Sequence, residues 1–417
     1  MNKKNILHIT PHLGGGVGRV ILNYIIRTKS SEMYSHNIGC LEYANEMATE
    51  IAKNEDIVLF DQLFDNKEKL FELISEADIV LIHWWNHPLL YALFVKEELP
   101  SCRIVMWSHI SGFHPPYLFT KPLFNYADIF VFTTPISFDA NEIKELPSEY
   151  HRKLKSIWST GGTEHVSHVV HREHAGFNIG YIGTVDYCKL HPDFIKMCSK
   201  VDIADAKFIV CGGHKQNEIK QEAINLGIDN KIDFEGQVPN ISQYLSEFDI
   251  FGYPLAPYHY GTCEQALAEA MAAGVVPVVL ANKTETFMVQ DGITGIVAKN
   301  EDEYVEGIKK LYDNPGLRKQ MSENAKNYAI ENFSLDKTVQ EWEKTFIEML
   351  SIEKNEKKWT GKYSGENTLA YQFFLESIAD YSVYFVETLE KSGHEKELAE
   401  KKIKELALSS EIWNADT

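Results

Sequence analysis

Three stretches of this sequence place glycines, small polar residues and a charge where a diphosphate or a sugar diol would need them. The first is Pro11-His12-Leu13-Gly14-Gly15-Gly16-Val17-Gly18-Arg19, between a short apolar run and a helical pattern. Gly15 and Gly16 let backbone amides approach a ligand, and a helix N-terminus favours phosphate charge. The spacing departs from G-x-G-x-x-G, so a plain tight turn explains the same residues. The second is Gly183-Thr184-Val185-Asp186-Tyr187-Cys188-Lys189. A lysine just past such a turn neutralises a β-phosphate as a point charge, although a solvated lysine at a helix start has the same pattern. The third runs from Tyr260-Gly261-Thr262-Cys263-Glu264 into Gln265-Ala266-Leu267-Ala268-Glu269-Ala270-Met271. Small polar residues open this helix, whose amides suit phosphate oxygens. Glu269 falls among small apolar residues, a costly place for a carboxylate without partners. Its two oxygens suit a ribose diol, and a structural pairing with a basic group is the competing reading.

These turns sit within two successive runs of strand and helix patterns. In the first half, Ile6–Thr10, Asn37–Leu41, Ile57–Phe60, Ile79–His83, Arg103–Trp107 and Ile129–Thr133 read as strands. Helical patterns separate them at Val17–Arg27, Lys67–Ser75, Leu89–Glu98 and Phe138–Glu145. Near-continuous apolar strands alternating with helices predict a parallel sheet covered on both faces. The pattern restarts after Ser159–Gly176, with strands at Asn178–Ile182, Lys207–Cys211, Lys231–Phe234, Asp249–Tyr253, Val276–Leu280 and Gly295–Ala298. The reading is an α/β chain with a domain over 1–170, a second over 175–335, a returning helix over 336–353 and a helical extension over 354–417. In the extension, Phe374, Ile378, Tyr381, Phe385 and Leu389 recur at helical spacing and predict one amphipathic helix, then a charged one over Glu395–Leu406. Its apolar face fits packing onto the body, a homo-oligomer contact or peripheral membrane contact.

Composition narrows the partners. With 417 residues and a net charge of -19, the chain is long enough for two domains and too anionic to suit nucleic acid. No apolar run approaches the roughly 20 residues of a membrane span. The apolar start reads as a first strand rather than a leader, which predicts a cytoplasmic protein. The six cysteines show no C-x-x-C pair and read as reduced thiols. The loop carrying His165, His168, His171 and His174 reads as a connection with solvated histidines rather than a metal site.

With these residues in view, the chain resembles the GT-B-fold retaining glycosyltransferases of family 4 over about residues 1–350. The resemblance is carried by the G-x-x-x-x-x-K turn at Gly183–Lys189, the helix and strand EAMAAGVVPVV beginning at Glu269, the segment Gln290–Gly295, and Trp107-Ser108-His109. It implies two facing Rossmann-like domains with an interdomain cleft and a nucleotide sugar held mainly by the second. Glu269 would hold the donor ribose and Lys189 the diphosphate. Val238, in Gly236-Gln237-Val238-Pro239, would lie in the segment reading the base. Gly15, Gly16, Thr184, Gly261, Thr262 and Cys263 would line the donor, and His109 would lie beside the transferred sugar. Two positions depart from the family: Gly261 stands where a first glutamate is usual, and Thr184 where an arginine is usual. Glu264 is the candidate substitute for that carboxylate, as a second catalytic group beside His109.

The resemblance implies transfer from a UDP- or GDP-linked sugar to a hydroxyl of a sugar, lipid-linked sugar or protein acceptor, in surface polysaccharide or glycoconjugate synthesis. It implies no obligatory cofactor and no metal; no D-x-D motif stands near a strand end. The alternative is a catalytically degenerate partner subunit or nucleotide-sugar-binding module, which the two departures motivate. Trp84, Trp85, Phe113 and Tyr117, in first-domain loops, are candidates for stacking on an acceptor.

Overall fold

The computed structural model describes residues 3–213, 216–259, 261–360 and 369–409; Tyr260 of the third motif and 364–368 of the aromatic tail lie outside these. The described residues fall into two compact units. One takes in those of Met1–Gly161, Tyr260–Cys263 and Leu335–Thr417, the other those of Gly162–His259 and Glu264–Ser334.

The first unit is built on strands β1 (Lys4–Thr10), β2 (Tyr34–Cys40), β3 (Val58–Phe60), β4 (Ile79–Trp84), β5 (Leu99–Cys102), β6 (Ile104–Ser108), β7 (Ile129–Phe132) and β8 (Leu154–Ser156). All but β5 form one parallel sheet in the order β3-β2-β1-β4-β6-β7-β8. Helices cover both faces, so alternate residues of each strand enter different cores. Leu7, Ile9, Val80 and Ile82 join one, and Ile6, Ile79, Leu81 and Val105 the other. That double burial explains the continuous apolar runs in the sequence. The second core is closed by helix Leu335–Ser351, whose Trp342 crosses Trp107 at 4.8 Å and 68°. Such an edge-to-face pair adds about 0.5–1.5 kcal/mol beyond the area it buries.

The second unit repeats the plan with β9 (Phe177–Ile182), β10 (Ala206–Cys211), β11 (Ile232–Gly236), β12 (Ile250–Tyr253), β13 (Val276–Leu280) and β14 (Ile296–Ala298). Its sheet is parallel, in the order β11-β10-β9-β12-β13-β14. In both sheets the strand order reverses once, between β1 and β4 and between β9 and β12. A crevice opens at such a reversal, outside the carboxyl ends of the strands.

The extension departs from the sequence reading in two ways. It begins with a short strand, β15 (Asn355–Lys357), paired antiparallel to β5. The buried Lys357 ammonium lies 2.6 Å from Asp128, and Trp359 seats its ring edge-on against Tyr91. Further on, the single amphipathic helix expected through Phe374–Leu389 is two, Leu369–Ser377 and Ser382–Glu390, separated at Ala379, which holds φ +46. A left-handed residue cannot continue a right-handed helix. Leu375 and Ile378 are buried, and Leu118 N–H donates to the Ser377 carbonyl at the end of the first of these helices. The last helix is Gly393–Ser409. Likewise the helix expected over Phe138–Glu145 is a 3-10 turn, Pro135–Asp139, followed by Asn141–Lys144.

Candidate functional site

In the first unit, the groups with chemistry gather at the carboxyl ends of the central strands. Gly15 and Gly16 open helix Gly15–Thr28 directly after β1. Both are exposed, Gly15 has φ +58, and nothing lies within 4 Å of where a Cβ would project from either. No side chain caps this helix and no acid lies in its first turn, which leaves its amides facing outward.

His109 follows β6, and its backbone N–H donates to the Trp84 carbonyl at the end of β4, 2.7 Å away. Its ring is the end of a chain of four imidazoles. His109 Nε2 lies 3.0 Å from His83 Nδ1, and His83 Nε2 lies 3.0 Å from His8 Nδ1. His8 Nε2 lies 2.9 Å from His36 Nδ1. At the other end His109 Nδ1 lies 3.3 Å from the Ser159 hydroxyl. The residues come from β2, β1, β4 and the turn after β6, four neighbours in the sheet, so the chain crosses one sheet face. His8 and His83 are fully buried. Burial lowers all four basicities, His36 to about 4 and His109 to about 3, and both His8 and His83 well below the ordinary value, with neighbouring imidazoles adding to the effect on His8 and His83. The chain is therefore neutral at neutral pH.

Of the aromatic candidates in these loops, Trp84 and Tyr117 are core residues. Trp85 and Phe113 are only partly buried, and Trp85 meets the His109 ring edge-on at 6.4 Å.

In the second unit, the turn after β9 carries Thr184 and Lys189, and the segment after β12 leads through Glu264 into helix Gln265–Ala272 with Glu269. The two therefore straddle the strand reversal. The turn is held by backbone bonds: Gly183 N–H donates to Cys211, Val185 N–H to Gly213 and Lys189 N–H to Asp186. Gly212 permits this closeness, because a Cβ there would lie 1.8 Å from the Gly183 oxygen and its φ is +150. Glu269 is buried, and one of its oxygens accepts from the Gln265 amide at 3.0 Å and lies 3.2 Å from His165 Nε2. The Gln265 amide also donates to the Gly162 carbonyl.

Glu264 is buried at the centre of a charged cluster. Lys189 Nζ lies 2.8 Å from one oxygen, and the Tyr253 hydroxyl donates to that same oxygen at 2.7 Å. His259 Nδ1 is 3.8 Å from the other, while its Nε2 lies 3.3 Å from Glu285. Burial pushes the Glu264 carboxyl up, but Lys189 and His259 more than reverse it and hold it below the usual range. Burial likewise opposes protonation of His259, yet Glu285 and Glu264 raise it above the ordinary value. A lysine, a histidine and two carboxyl groups thus meet in one interior cluster.

Val238 lies in the turn after β11, on the same sheet but two strands from β9. Gly261, Thr262 and Cys263 group with the first unit, where the buried Thr262 hydroxyl meets those of Thr133 at 3.2 Å and Thr134 at 2.9 Å.

Residues 170–328 match the glycosyl transferases group 1 family. Most of the second unit is thus similar to a group 1 glycosyltransferase domain. Over 123 residues, 29% of this chain, the sequence is 33% identical to an uncharacterized glycosyltransferase of Methanocaldococcus jannaschii, and the match spans 30% of that relative's length. The fold extends the likeness over both units. A glycosyltransferase of Rickettsia africae superposes with a TM-score of 0.68 at 16% identity, over 84% of this chain and 99% of that one. HepE of Anabaena, solved in complex with UDP, superposes with a TM-score of 0.65 at 15% identity, over 83% and 100%. The two parallel-sheet domains are those of GT-B glycosyltransferase structures.

Within the matched region, several residues join the site that spacing did not single out: Tyr253, His259 and Glu285 around Glu264. His165, read from sequence as a solvated loop residue, is exposed and also lies beside Glu269, and His174 pairs with Asp249 at 3.4 Å. His259, Glu264 and Glu285 have the geometry to share a cation, as do His171, His174 and Asp249. In the first of these groups, Lys189 already pairs with Glu264. Among the described residues no helix is long and apolar enough to cross a membrane.

Proposed function

We propose that this chain transfers a hexosyl group from a nucleoside diphosphate sugar to an acceptor hydroxyl with retention, as family 4 enzymes do, in surface polysaccharide or glycoconjugate synthesis. The observation that carries the reading is the placing of Lys189 and Glu269 on either side of the β9/β12 reversal of a domain similar to group 1 transferases, the position where such sheets take nucleotides. Glu269, buried and oriented by Gln265 and His165, holds the ribose diol. Lys189 and the amides at the start of helix Gln265–Ala272 stabilise the negative charge that grows on the departing diphosphate. On the second unit Thr184 and Val238 line the donor; on the first, Gly15 and Gly16 offer helix-start amides suited to phosphate, and His109 offers a hydroxyl the Nδ1 position that Ser159 now holds. The HepE complexes with UDP and UDP-glucose support a uridine-linked donor.

A second reading has a specific observation behind it. Lys189 is tied to Glu264, and Gly261 and Thr184 replace a carboxylate and a cation usual in the family. A nucleotide-sugar-binding partner without turnover fits those changes. One experiment separates the two: thermal stability with UDP, GDP, ADP and their sugars, followed by product analysis with the sugar that responds. The transferase reading expects one nucleotide series to stabilise the wild type and release of its nucleoside diphosphate on turnover. It further expects Glu269→Ala to weaken that binding by about 1.5–3 kcal/mol, the worth of a charge-assisted hydrogen bond. Stabilisation without turnover would favour the binding module, and no response from any nucleotide would end the transferase reading and favour a degenerate partner subunit.

A further inference from the structure

The geometry points to the four histidines of the first unit acting as one tautomer relay, in which His36, His8 and His83 are positioning residues that hold His109 as an Nδ1–H donor. The argument begins with hydrogen counting. A neutral imidazole carries one N–H and one bare nitrogen. Each of the contacts His36–His8, His8–His83 and His83–His109, at 2.9, 3.0 and 3.0 Å, needs one hydrogen between its two nitrogens. If the first contact takes its hydrogen from His36 Nδ1, His8 is bare at Nε2. His8 must then carry its hydrogen at Nδ1, which fills the second contact, and His83 repeats the step into the third. The whole chain is then protonated at Nδ1. The opposite choice at the first contact propagates equally and protonates every ring at Nε2. Any mixed arrangement leaves one contact with two hydrogens or with none. Only two registers therefore exist, and all four rings share one.

The ends choose between them. At the His109 end the Ser159 hydroxyl both donates and accepts, so it favours neither register. At the other end, His36 Nε2 is buried with no hydrogen-bond partner among the described residues. In the Nε2–H register that atom would be a buried donor without an acceptor; in the Nδ1–H register it is only an unfilled lone pair. Orphaned buried N–H groups are the rarer of the two in folded proteins. The Nδ1–H register follows, with His109 donating towards Ser159. Burial keeps the chain from accepting an additional proton near neutrality, so it transmits tautomeric state and does not store charge. The rings are also fixed in plane: His8, His83 and His109 lie within 16° of parallel from one to the next, and Trp107 lies against both His83 and His109.

The consequence for chemistry rests on the transferase reading above: the one N–H of His109 is the Nδ1–H now turned to Ser159, so a sugar oxygen that takes the place of that hydroxyl meets a fixed donor, not a base. The relay itself is tested without turnover. The full chain is labelled with 15N-histidine, and long-range proton–nitrogen correlation distinguishes protonated from bare ring nitrogens, each signal being assigned by its loss in a single His→Gln variant. The expected spectrum has His36, His8, His83 and His109 all protonated at Nδ1 and bare at Nε2. Breaking the chain with His8→Phe should move the His83 and His109 nitrogens towards averaged shifts. His8→Gln, whose amide can accept from His36 and donate to His83, should restore the wild-type shifts of His109. Mixed tautomers among the four in the wild type, a common Nε2–H register, or a folded His8→Phe variant with unmoved His109 shifts would each overturn the inference. If His8→Phe does not fold, the wild-type spectrum still decides. A missing nucleotide response would remove the transferase reading and leave the relay standing, so the two fail separately.

Discussion

Glu264 and Glu269 stand five positions apart and are both buried, yet different chemistry permits each. Glu269 accepts from a neutral amide and lies beside a histidine. Glu264 neutralises Lys189 and shares His259 with Glu285. Removing one member of a buried ionic cluster leaves the others uncompensated, which costs about 3–5 kcal/mol where the group is fully enclosed. Lys189 retains some solvent access, so Glu264→Ala is expected to lower the stability of the second unit by about 3 kcal/mol. Urea unfolding followed by circular dichroism measures this, and an unchanged midpoint would mean that water already screens the cluster. The partners of Glu264 were not legible in the sequence. Tyr253 and His259 are near in sequence but on different elements, and Glu285 belongs to a later helix, so only the folded chain brings them together. The relay is similar. His8 and His83 each interrupt an apolar strand run, which was a readable signal, but their partners lie 26 to 75 residues away.

The elements that position the site were the most legible part. The central strands are buried on both faces, so their apolar runs announce them; β5 and β15 are short and carry polar residues, and periodicity does not reveal them. The spacing through Phe374–Leu389 is continuous, and nothing in it signals the break at Ala379. The turn bearing Lys189 shows how an element places a residue at close range. It leans on the end of β10 through Gly212, where backbone passes so near that any side chain must displace it. Gly212→Ala is therefore expected to push the Gly183 oxygen away, shift the Lys189 turn, and destabilise the second unit by about 1–3 kcal/mol, with loss of the nucleotide response. Gly227 supplies the comparison, since it also has positive φ, +67, but an open surrounding. Gly227→Ala should cost about 1 kcal/mol and leave nucleotide binding intact. Equal effects in the two variants would assign the Gly212 loss to backbone angle alone and not to the contact.

At the scale of the whole molecule, acid weakens the first unit, whereas in the second His259 and the burial-depressed His191 pull in opposite directions. The first holds six imidazoles whose folded basicity is depressed below the ordinary 6.5, the four of the chain together with His12 and His87. Unfolding lets them take protons, so their contribution to stability is complete above that value and is lost as pH falls from it towards the folded values, about 4 for His36 and about 3 for His109. By about pH 5.5 each of those two withdraws about 1 kcal/mol, and His8 and His83 act in the same direction. In the second unit, His259 is raised instead, so its stabilisation is fully present below 6.5 and is lost only as pH rises through its folded value. Glu264 is depressed below the ordinary carboxylate value of 4.5, so its contribution persists through this window. Every tryptophan among the described residues belongs to the first unit, so their fluorescence follows that unit. Urea unfolding read by fluorescence should show its midpoint fall between about pH 7.5 and about pH 5.5 by several kcal/mol of stability. Replacing His36 with phenylalanine removes one titrating group and should flatten that slope, whatever it does to stability at neutral pH. A midpoint that does not move would mean that the four imidazoles are hydrated in the folded state, and with water available to each ring they would be free to choose their tautomers independently.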